Sequence, residues 1–140
     1  MRALRRIVAA VLLTTLALAR AEVVVVVSAR SSVQKLSEEQ VADLFLGRAS
    51  LPVTGGMLEP IDLAEGAAER DDFYRRIAAM SAPQLTAYWA RMIFTGRGKP
   101  PREVGDVRAV KEQMARNPHL MAYLPRQDVD DTMRIVFVPR

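Results

Sequence analysis

The sequence contains no cysteine and only one histidine among its 140 residues. Without cysteine the chain forms no disulfide, offers no thiolate to a metal or substrate, and lacks the residue that carries a bacterial lipid anchor. The single histidine, His119, lies between a predicted helix end and a predicted strand, where packing in a turn is the expected role. No serine has the G-x-S-x-G context of a hydrolase nucleophile. The composition therefore predicts a non-catalytic protein that needs no cofactor.

Acidic residues are clustered at two places, and neither cluster has the pattern of a metal site. Residues 65–72 lie at a predicted helix N-terminus, where the helix dipole favours negative charge. Residues 128–131 lack the glycine and the terminal glutamate of a calcium-binding loop. We therefore predict that the first cluster complements a helix end, that the second is a solvated turn, and that neither ligates a metal.

The first 21 residues have the features of a secretory signal peptide. Basic residues at positions 2, 5 and 6 precede an apolar segment of 13 residues, 7–19, which is shorter than the ~20 residues needed to span a bilayer. Ala19-Arg20-Ala21 fits an A-x-A cleavage site, and Ala17-Leu18-Ala19 is a second candidate. The sequence thus predicts a signal peptide at 1–21 and one domain at 22–140, periplasmic or secreted, with no membrane anchor after cleavage.

Cleavage changes the charge of the protein. Four of the 20 basic residues and none of the 16 acidic residues lie within residues 1–21. The remaining domain carries 16 residues of each sign, so its formal net charge is zero. The high isoelectric point of the whole chain therefore belongs to the targeting segment, and we expect no nucleic-acid partner.

The apolar pattern after residue 22 predicts strands and helices around one core. Val23–Val27 is a run of valines, whose branched side chains favour a strand buried on both faces, as in a mostly parallel sheet covered by helices. The predicted order is β, α, β, α, α, α, β, β, with strands at 23–27, 58–63, 120–124 and 133–138. We expect the last strand to return to the sheet that contains the first. This pattern predicts an α/β fold with a small mixed sheet of about four strands flanked by helices.

Capping boxes mark the beginnings of two predicted helices, at Ser37 and at Ser81. Between them, a helix over residues 67–80 is expected to form the ion pairs Asp71–Arg75 and Asp72–Arg76. The helix that begins after Ser81 carries an apolar stripe that we expect to face the core, made of Leu85, Tyr88, Trp89, Met92 and Ile93.

Two loops are the best candidates for binding a ligand. One, residues 28–32, follows the first predicted strand, and the other, residues 65–68, follows the second and leads into a helix. If these strands are parallel, both loops lie at the same edge of the sheet, where α/β proteins collect ligands. Hydroxyls, guanidinium groups and helix-terminal amides suit a small oxyanion. The candidate binding residues are Ser28, Arg30, Ser31, Gly66, Ala67, Ala68 and Arg70.

Three segments resemble a known family. They are "LSEEQVADLFLGR", "LEPIDLAEGAAERDDFY" and "YWARMIFTGRGKPPREVGD", and their order and spacing are similar to one lobe of the phosphate-binding proteins that feed ABC importers. The short, single-lobe phosphate-binding-like periplasmic proteins are similar over most of residues 23–125. The resemblance implies one lobe of a type II periplasmic-binding-protein fold.

The resemblance also marks where this chain departs from the family. In the family, an arginine and then a Gly-Ser-Gly-Thr turn bind phosphate. Gly66 matches the first glycine of that turn, whereas Leu63 occupies the arginine position and Ala67, Ala68 and Glu69 occupy the next three. The fold is therefore expected, and most of the phosphate-ligating side chains are not.

Two functions are compatible with this sequence. The first is an exported, non-catalytic solute-binding-like domain that holds a small oxyanion weakly. The alternative is a ligand-free interaction module for an envelope transporter, sensor or secretion assembly. Because residues 22–140 provide one lobe, a closing cleft requires a second lobe from another chain, so the candidate protein partners are an envelope protein or a chain that supplies that lobe.

Overall fold

The computed structural model describes residues 21–140, so the predicted signal peptide, apart from Ala21, lies outside the described residues. None of the helices within residues 21–140 combines the length and the hydrophobicity that crossing a bilayer requires. In chain order the elements are β1 (Val23–Ser28), α1 (Glu38–Phe45), β2 (Pro52–Val53), β3 (Gly56–Met57), β4 (Glu59–Asp62), α2 (Ala68–Ala78), α3 (Ala82–Phe94), β5 (Arg102–Glu103), α4 (Val107–Arg116), β6 (Leu120–Pro125), a 3-10 turn (Arg126–Asp128) and β7 (Met133–Phe137).

The main sheet has five strands in the order β5-β4-β6-β1-β7. Strand β4 runs parallel to β5 and β6, whereas β1 runs antiparallel to β6 and β7. The predicted small mixed sheet is confirmed, with the two-residue β5 added at one edge. The short strands β2 and β3 form a separate hairpin, which the sequence pattern did not indicate.

Strand β1 lies inside the sheet, and all six of its residues are buried. Both of its neighbours, β6 and β7, are antiparallel to it, so its burial on two faces does not reflect a mostly parallel sheet. The expectation that parallel strands surround β1 was therefore wrong. The expectation that the C-terminal strand returns to this sheet is confirmed, because Val26 pairs with Ile135 and Val25 with Phe137.

Both predicted capping boxes are present. The Ser37 hydroxyl accepts from the Gln40 N–H at 3.1 Å, and the Gln40 side chain accepts from the Ser37 N–H at 2.9 Å. Helix α1 ends just before Gly47, whose φ is +68°. A Cβ at that position would lie 3.2 Å from the Trp89 ring, so glycine serves both the left-handed turn and the close approach of α3.

Helix α3 buries its predicted face except in its last turn. Leu85 and Trp89 are buried, in agreement with the apolar stripe, and Tyr88 and Met92 are half-buried. Ile93, however, is 57% exposed, and Phe94 is 92% exposed. The prediction that Ile93 faces the core was wrong, because the last turn of α3 extends past the edge of the packed interior.

The ion pairs on α2 also differ from the expected set. Asp72 accepts from Arg76 at 2.9 Å, as predicted, and lies 3.8 Å from Arg75. Arg75 therefore contacts Asp72 instead of forming the expected ion pair with Asp71. These are surface contacts, each worth at most ~1 kcal/mol.

Candidate functional site

The loop after β1 satisfies its own polar groups. The Ser28 hydroxyl accepts from the Arg30 N–H, and the Ser31 hydroxyl accepts from the Val33 N–H, both at 3.2 Å. The guanidinium of Arg134 donates to three carbonyl oxygens of the same loop, those of Ala29, Ser31 and Val33, at 2.8–3.0 Å. The two hydroxyls thus hold the turn in shape, and the exposed residues of the loop are Arg30 and Ser32.

The loop after β4 makes a glycine turn that leads directly into helix α2. Gly66 has a φ of +90°, and Ala67 is the N-cap of α2, with no side chain capping the helix. Within the described residues, the N–H groups of 68–70 have no acceptor. The carboxylate of Glu69 does not cap these groups, although its position in the sequence allowed that role.

An open cavity of about 610 Å³ lies between this loop and the N-terminus of α4. The Asp106 carboxylate caps α4 by accepting from the Ala109 N–H at 2.9 Å, and the Ala64 N–H donates to the Gly105 carbonyl at 2.8 Å. Two helix N-termini therefore lie beside one cavity, a favourable electrostatic arrangement for an anion. Its lining residues are Leu63, Ala64, Ala67, Glu69, Gly105, Asp106, Val107 and Arg108.

The charges of the side chains around this cavity counteract the attraction of the two helix N-termini for an anion. Glu69 and Asp106 place two carboxylates at its rim. The one cation, Arg108, pairs with Glu112 at 3.2 Å, and its side chain is 87% exposed. Leu63, where the resemblance implies an arginine, is buried. The backbone of this site thus favours an anion, and its side chains disfavour one.

The two predicted binding loops lie at opposite ends of the sheet. Because β1 is antiparallel to β6 and β4 is parallel to β6, the carboxyl ends of β1 and β4 point in opposite directions. Strand β1 is six residues long, so its two ends lie about 17 Å apart. The prediction that one site joins Ser28, Arg30 and Ser31 to Gly66, Ala67, Ala68 and Arg70 was therefore wrong. Whether either loop binds a ligand alone stays a prediction.

A buried polar cluster beside the second loop was missed by sequence reasoning. Asp62, at the end of β4, is 1% exposed, and one of its carboxylate oxygens accepts from the Tyr74 hydroxyl at 2.8 Å. The other accepts from the Tyr123 hydroxyl, whose oxygen also accepts from the Leu63 N–H at 3.2 Å. Arg70 Nε lies 3.7 Å from Asp62. The only hint in the sequence was a carboxylate within the apolar run around Ile61 and Leu63.

Burial sets the ionisation of this cluster. It raises the pKa of Asp62 above the usual value, although the hydrogen bond from Tyr123, the charge of Arg70 and the hydrogen bond from Tyr74 oppose the shift. Burial, together with the neighbouring carboxylate, also raises the pKa of Tyr74 and of Tyr123. The hydroxyls of Tyr74 and Tyr123 are therefore protonated at any physiological pH and donate hydrogen bonds to Asp62.

The cluster also determines what Arg70 can do. Its guanidinium donates to Glu103 at 2.8 Å as well as lying near Asp62, and only 12% of its side chain is exposed. The guanidinium that the sequence analysis assigned to a bound anion is therefore already paired with two carboxylates of the protein. Arg70 connects β4, α2 and β5, which is a structural role.

The other candidates for chemistry are structural as well. His119 Nε2 lies 3.2 Å from the Thr54 carbonyl oxygen, and the ring packs against Gly55 and Gly56 of the β2–β3 turn. The prediction of a turn-packing histidine is confirmed. Within residues 21–140, no group of three or more His, Cys, Asp or Glu side chains is arranged to hold a metal ion.

No protein-family model matches the sequence, and no curated protein is significantly similar to it. Solved structures do match, each over 82% of this chain. A Clostridium perfringens protein assigned to the phosphate ABC transporter substrate-binding proteins, solved with bound phosphate, has a TM-score of 0.65 at 16% identity. An ABC-type phosphate transport receptor from Vibrio cholerae has a TM-score of 0.64 at 13% identity. PstS from Borrelia burgdorferi has a TM-score of 0.58 at 12% identity.

The match covers 44%, 45% and 46% of these three structures, so the chain spans less than half of their length. At identities this low, the structural match establishes a shared fold and gives no information about a shared ligand. The described part of this chain therefore has the single-lobe fold of the phosphate-transport substrate-binding proteins.

Proposed function

We propose that this protein is an exported, non-catalytic solute-binding-like domain of the phosphate ABC transporter substrate-binding superfamily that has lost most of its phosphate-ligating side chains. The observation that carries the proposal is the loop at 63–69. It keeps the strand, the Gly66 turn and the exposed helix N-terminus within the shared fold, while Leu63, Ala67 and Glu69 supply no cation and no hydroxyl.

The missing groups predict weak binding. A charge-assisted hydrogen bond contributes ~1.5–3 kcal/mol, and Leu63 removes the guanidinium that the resemblance places there. Two hydroxyls are absent at Ala67 and Glu69, and the carboxylate of Glu69 repels an anion at the helix end. Since each 1.4 kcal/mol is about a factor of ten, affinity is reduced by several powers of ten.

Neither of the two predicted binding arginines restores the lost charge. Arg70 is held by Asp62 and Glu103, and Arg30 extends from the opposite end of the sheet. The backbone N–H groups of residues 68–70 thus remain as the main attraction for an anion. We expect a phosphate dissociation constant no tighter than ~1 mM, too weak for scavenging phosphate.

Calorimetric titration of the exported protein with inorganic phosphate tests this proposal. The wild type is expected to show only millimolar binding or none, and Glu69→Thr is expected to bind more tightly because it removes a repelling charge and supplies a hydroxyl. Arg30→Ala is the matched control, since its side chain is exposed and distant from the loop. Micromolar affinity in the wild type, or equal changes in Glu69→Thr and Arg30→Ala, would contradict it.

One observation favours the alternative, a ligand-free interaction module for an envelope transporter, sensor or secretion assembly. Phe94 is 92% exposed and the adjacent Ile93 is 57% exposed, an unusual display of apolar surface at a helix end. Such side chains suit contact with another protein, including one that supplies a second lobe. If no oxyanion raises the melting temperature in a thermal-shift screen, this alternative is the better description.

Export itself is part of the proposal and rests on the N-terminal sequence. The intact mass of material recovered from the periplasm or medium is expected to correspond to a chain that begins at or near Glu22, without lipid. A mass equal to that of all 140 residues would contradict both the localisation and the neutral charge of the exported domain.

A further inference from the structure

An apolar cavity of about 400 Å³ lies between α2, α3 and the segment before β5. Its apolar lining comes mainly from Met80, Leu85, Trp89, Ile93, Pro100 and Pro101. Trp89 is buried, and its indole N–H has no hydrogen-bond partner within the described residues. A cavity of about 150 Å³ with apolar walls is already large enough for a benzene ring, so this one has room for an aromatic side chain.

The rim of this cavity is acidic. Glu65, Asp71 and Glu103 line it, and the one cation there, Arg70, is already paired with Glu103 and with the buried Asp62. A side chain that fits this cavity is therefore apolar and is flanked by positive charge.

The end of α3 presents such a side chain. Phe94 is 92% exposed. Residues 88–102 contain four basic side chains and no acidic one, in a domain whose net charge is zero. Three of the four, Arg91, Arg97 and Lys99, are exposed, and within residues 21–140 none of the three forms an ion pair.

We propose that the occupant of the cavity is Phe94 of a second copy of this chain, with the basic residues around Phe94 facing the acidic rim. Ile93 lines the cavity and Phe94 follows it directly on α3, so the two complementary features lie side by side on one surface. A two-fold axis then places each Phe94 at the cavity of the other copy.

The exposed face of α3 fits the same contact. Pro83, Ala87, Ala90 and Phe94 are exposed at i, i+4, i+7 and i+11, which places them in one stripe along the helix. The alanines are small, so two such helices can approach closely. Because residues 22–140 carry no net charge, the two copies do not repel each other at long range. The proposal rests on Phe94 and the exposed face of α3, which do not line the cavity of the proposed anion site, although Glu65 and Gly66 of that loop also line the cavity beside α3.

Analytical sedimentation of the exported protein at concentrations from about 1 µM to about 300 µM tests the proposal. This range covers the dissociation constants expected for small transient interfaces. The wild type is expected to dimerise reversibly, and Phe94→Ser to weaken the dimer at least about tenfold. Met57→Ser is the matched control, since Met57 is 47% exposed on the β2–β3 hairpin and should not affect association. A monomer throughout this range, or equal effects of the two variants, would overturn the proposal.

A mixing experiment tests whether Phe94 and the cavity are the two halves of one contact. Thr86→Trp fills the cavity from a lining residue outside the exposed stripe of α3 and keeps Phe94, whereas Phe94→Ser keeps the cavity. Neither variant alone forms an intact contact, but a mixture restores one contact per dimer, so the heterodimer should be tighter than either homodimer. Absence of that preference would overturn the proposal.

Charge and membrane controls complete the test. Arg97→Glu and added salt are both expected to weaken the dimer, because the contact joins opposite charges. An aromatic side chain beside basic residues also suits an anionic lipid surface. If the wild type is monomeric and binds phosphatidylglycerol vesicles in a Phe94-dependent way, the surface is a membrane contact and the dimer proposal is wrong.

Discussion

Replacing Tyr123 by phenylalanine removes one oxygen atom from the centre of the protein. The Tyr123 ring is buried and stacks on Phe73, with 4.0 Å between the ring centroids and 10° between their planes. Phenylalanine keeps this stacking, so the substitution tests hydrogen bonding and leaves packing almost unchanged.

Two hydrogen bonds are lost in Tyr123→Phe. The hydroxyl donates to the Asp62 carboxylate, a bond to a charged group worth ~1.5–3 kcal/mol. It also accepts from the buried Leu63 N–H, and leaving a buried donor without a partner costs ~1–3 kcal/mol. We therefore expect a loss of about 3–5 kcal/mol in the free energy of unfolding, a large part of the total for a domain of this size.

Urea denaturation followed by circular dichroism measures this loss, with two other tyrosines for comparison. Tyr74→Phe removes only one bond to Asp62 and should cost ~1.5–3 kcal/mol. Tyr88→Phe removes a bond to the Leu46 carbonyl in a half-buried position and should cost ~1 kcal/mol. A cost for Tyr123→Phe no larger than that for Tyr88→Phe would refute the reasoning, because the buried carboxylate would then need no donor.

Two further predictions concern single side chains. Trp89→Ala should lower the free energy of unfolding by ~3–5 kcal/mol, because the ring is 5% exposed. Trp89→Phe should lower it clearly less, since this substitution removes an indole N–H that has no partner within the described residues. Equal losses for the two variants in thermal denaturation would contradict this prediction. The raised pKa of Asp62 means that the folded state binds the proton of this carboxyl more tightly than the unfolded state does. The protonated carboxyl therefore stabilises the fold below the unfolded pKa near 3.8. This contribution is lost as the pH rises through the pKa of the folded state. In urea titrations from about pH 3 to about pH 7, Asp62→Asn should therefore lose less stability with rising pH than the wild type does, and parallel pH profiles would count against this assignment.

Local interactions explain where sequence reasoning succeeded. The capping boxes at Ser37 and Ser81 are formed within four residues of chain, so they are readable without knowledge of the fold. The valine run at β1 and the buried strand β6 follow from hydrophobicity alone. The resemblance of three segments to the phosphate-binding proteins added the fold of one lobe, which the structural matches confirm.

The direction of β1 relative to its neighbouring strands could not be predicted from the hydrophobic pattern. A strand that is apolar on both faces has the same pattern whether its neighbours are parallel or antiparallel, because the pattern reports burial and carries no information on hydrogen-bond direction. The expected joint site of Ser28 and Gly66 failed for that reason. The helical stripe of α3 likewise predicted the face but not how far along the helix the interior extends, so Ile93 was misplaced.

The sequence by itself determined the helices and the longer strands, the capping boxes at Ser37 and Ser81, and the equal numbers of acidic and basic residues in 22–140. Only the tertiary structure decided which groups meet. Asp62 is 12 residues from Tyr74 and 61 from Tyr123, yet both hydroxyls donate to its carboxylate and Arg70 is held beside it. Hydrogen bonds and ion pairs act over a few ångströms of space, and the order of residues along a chain does not specify those distances until the sheet has placed them.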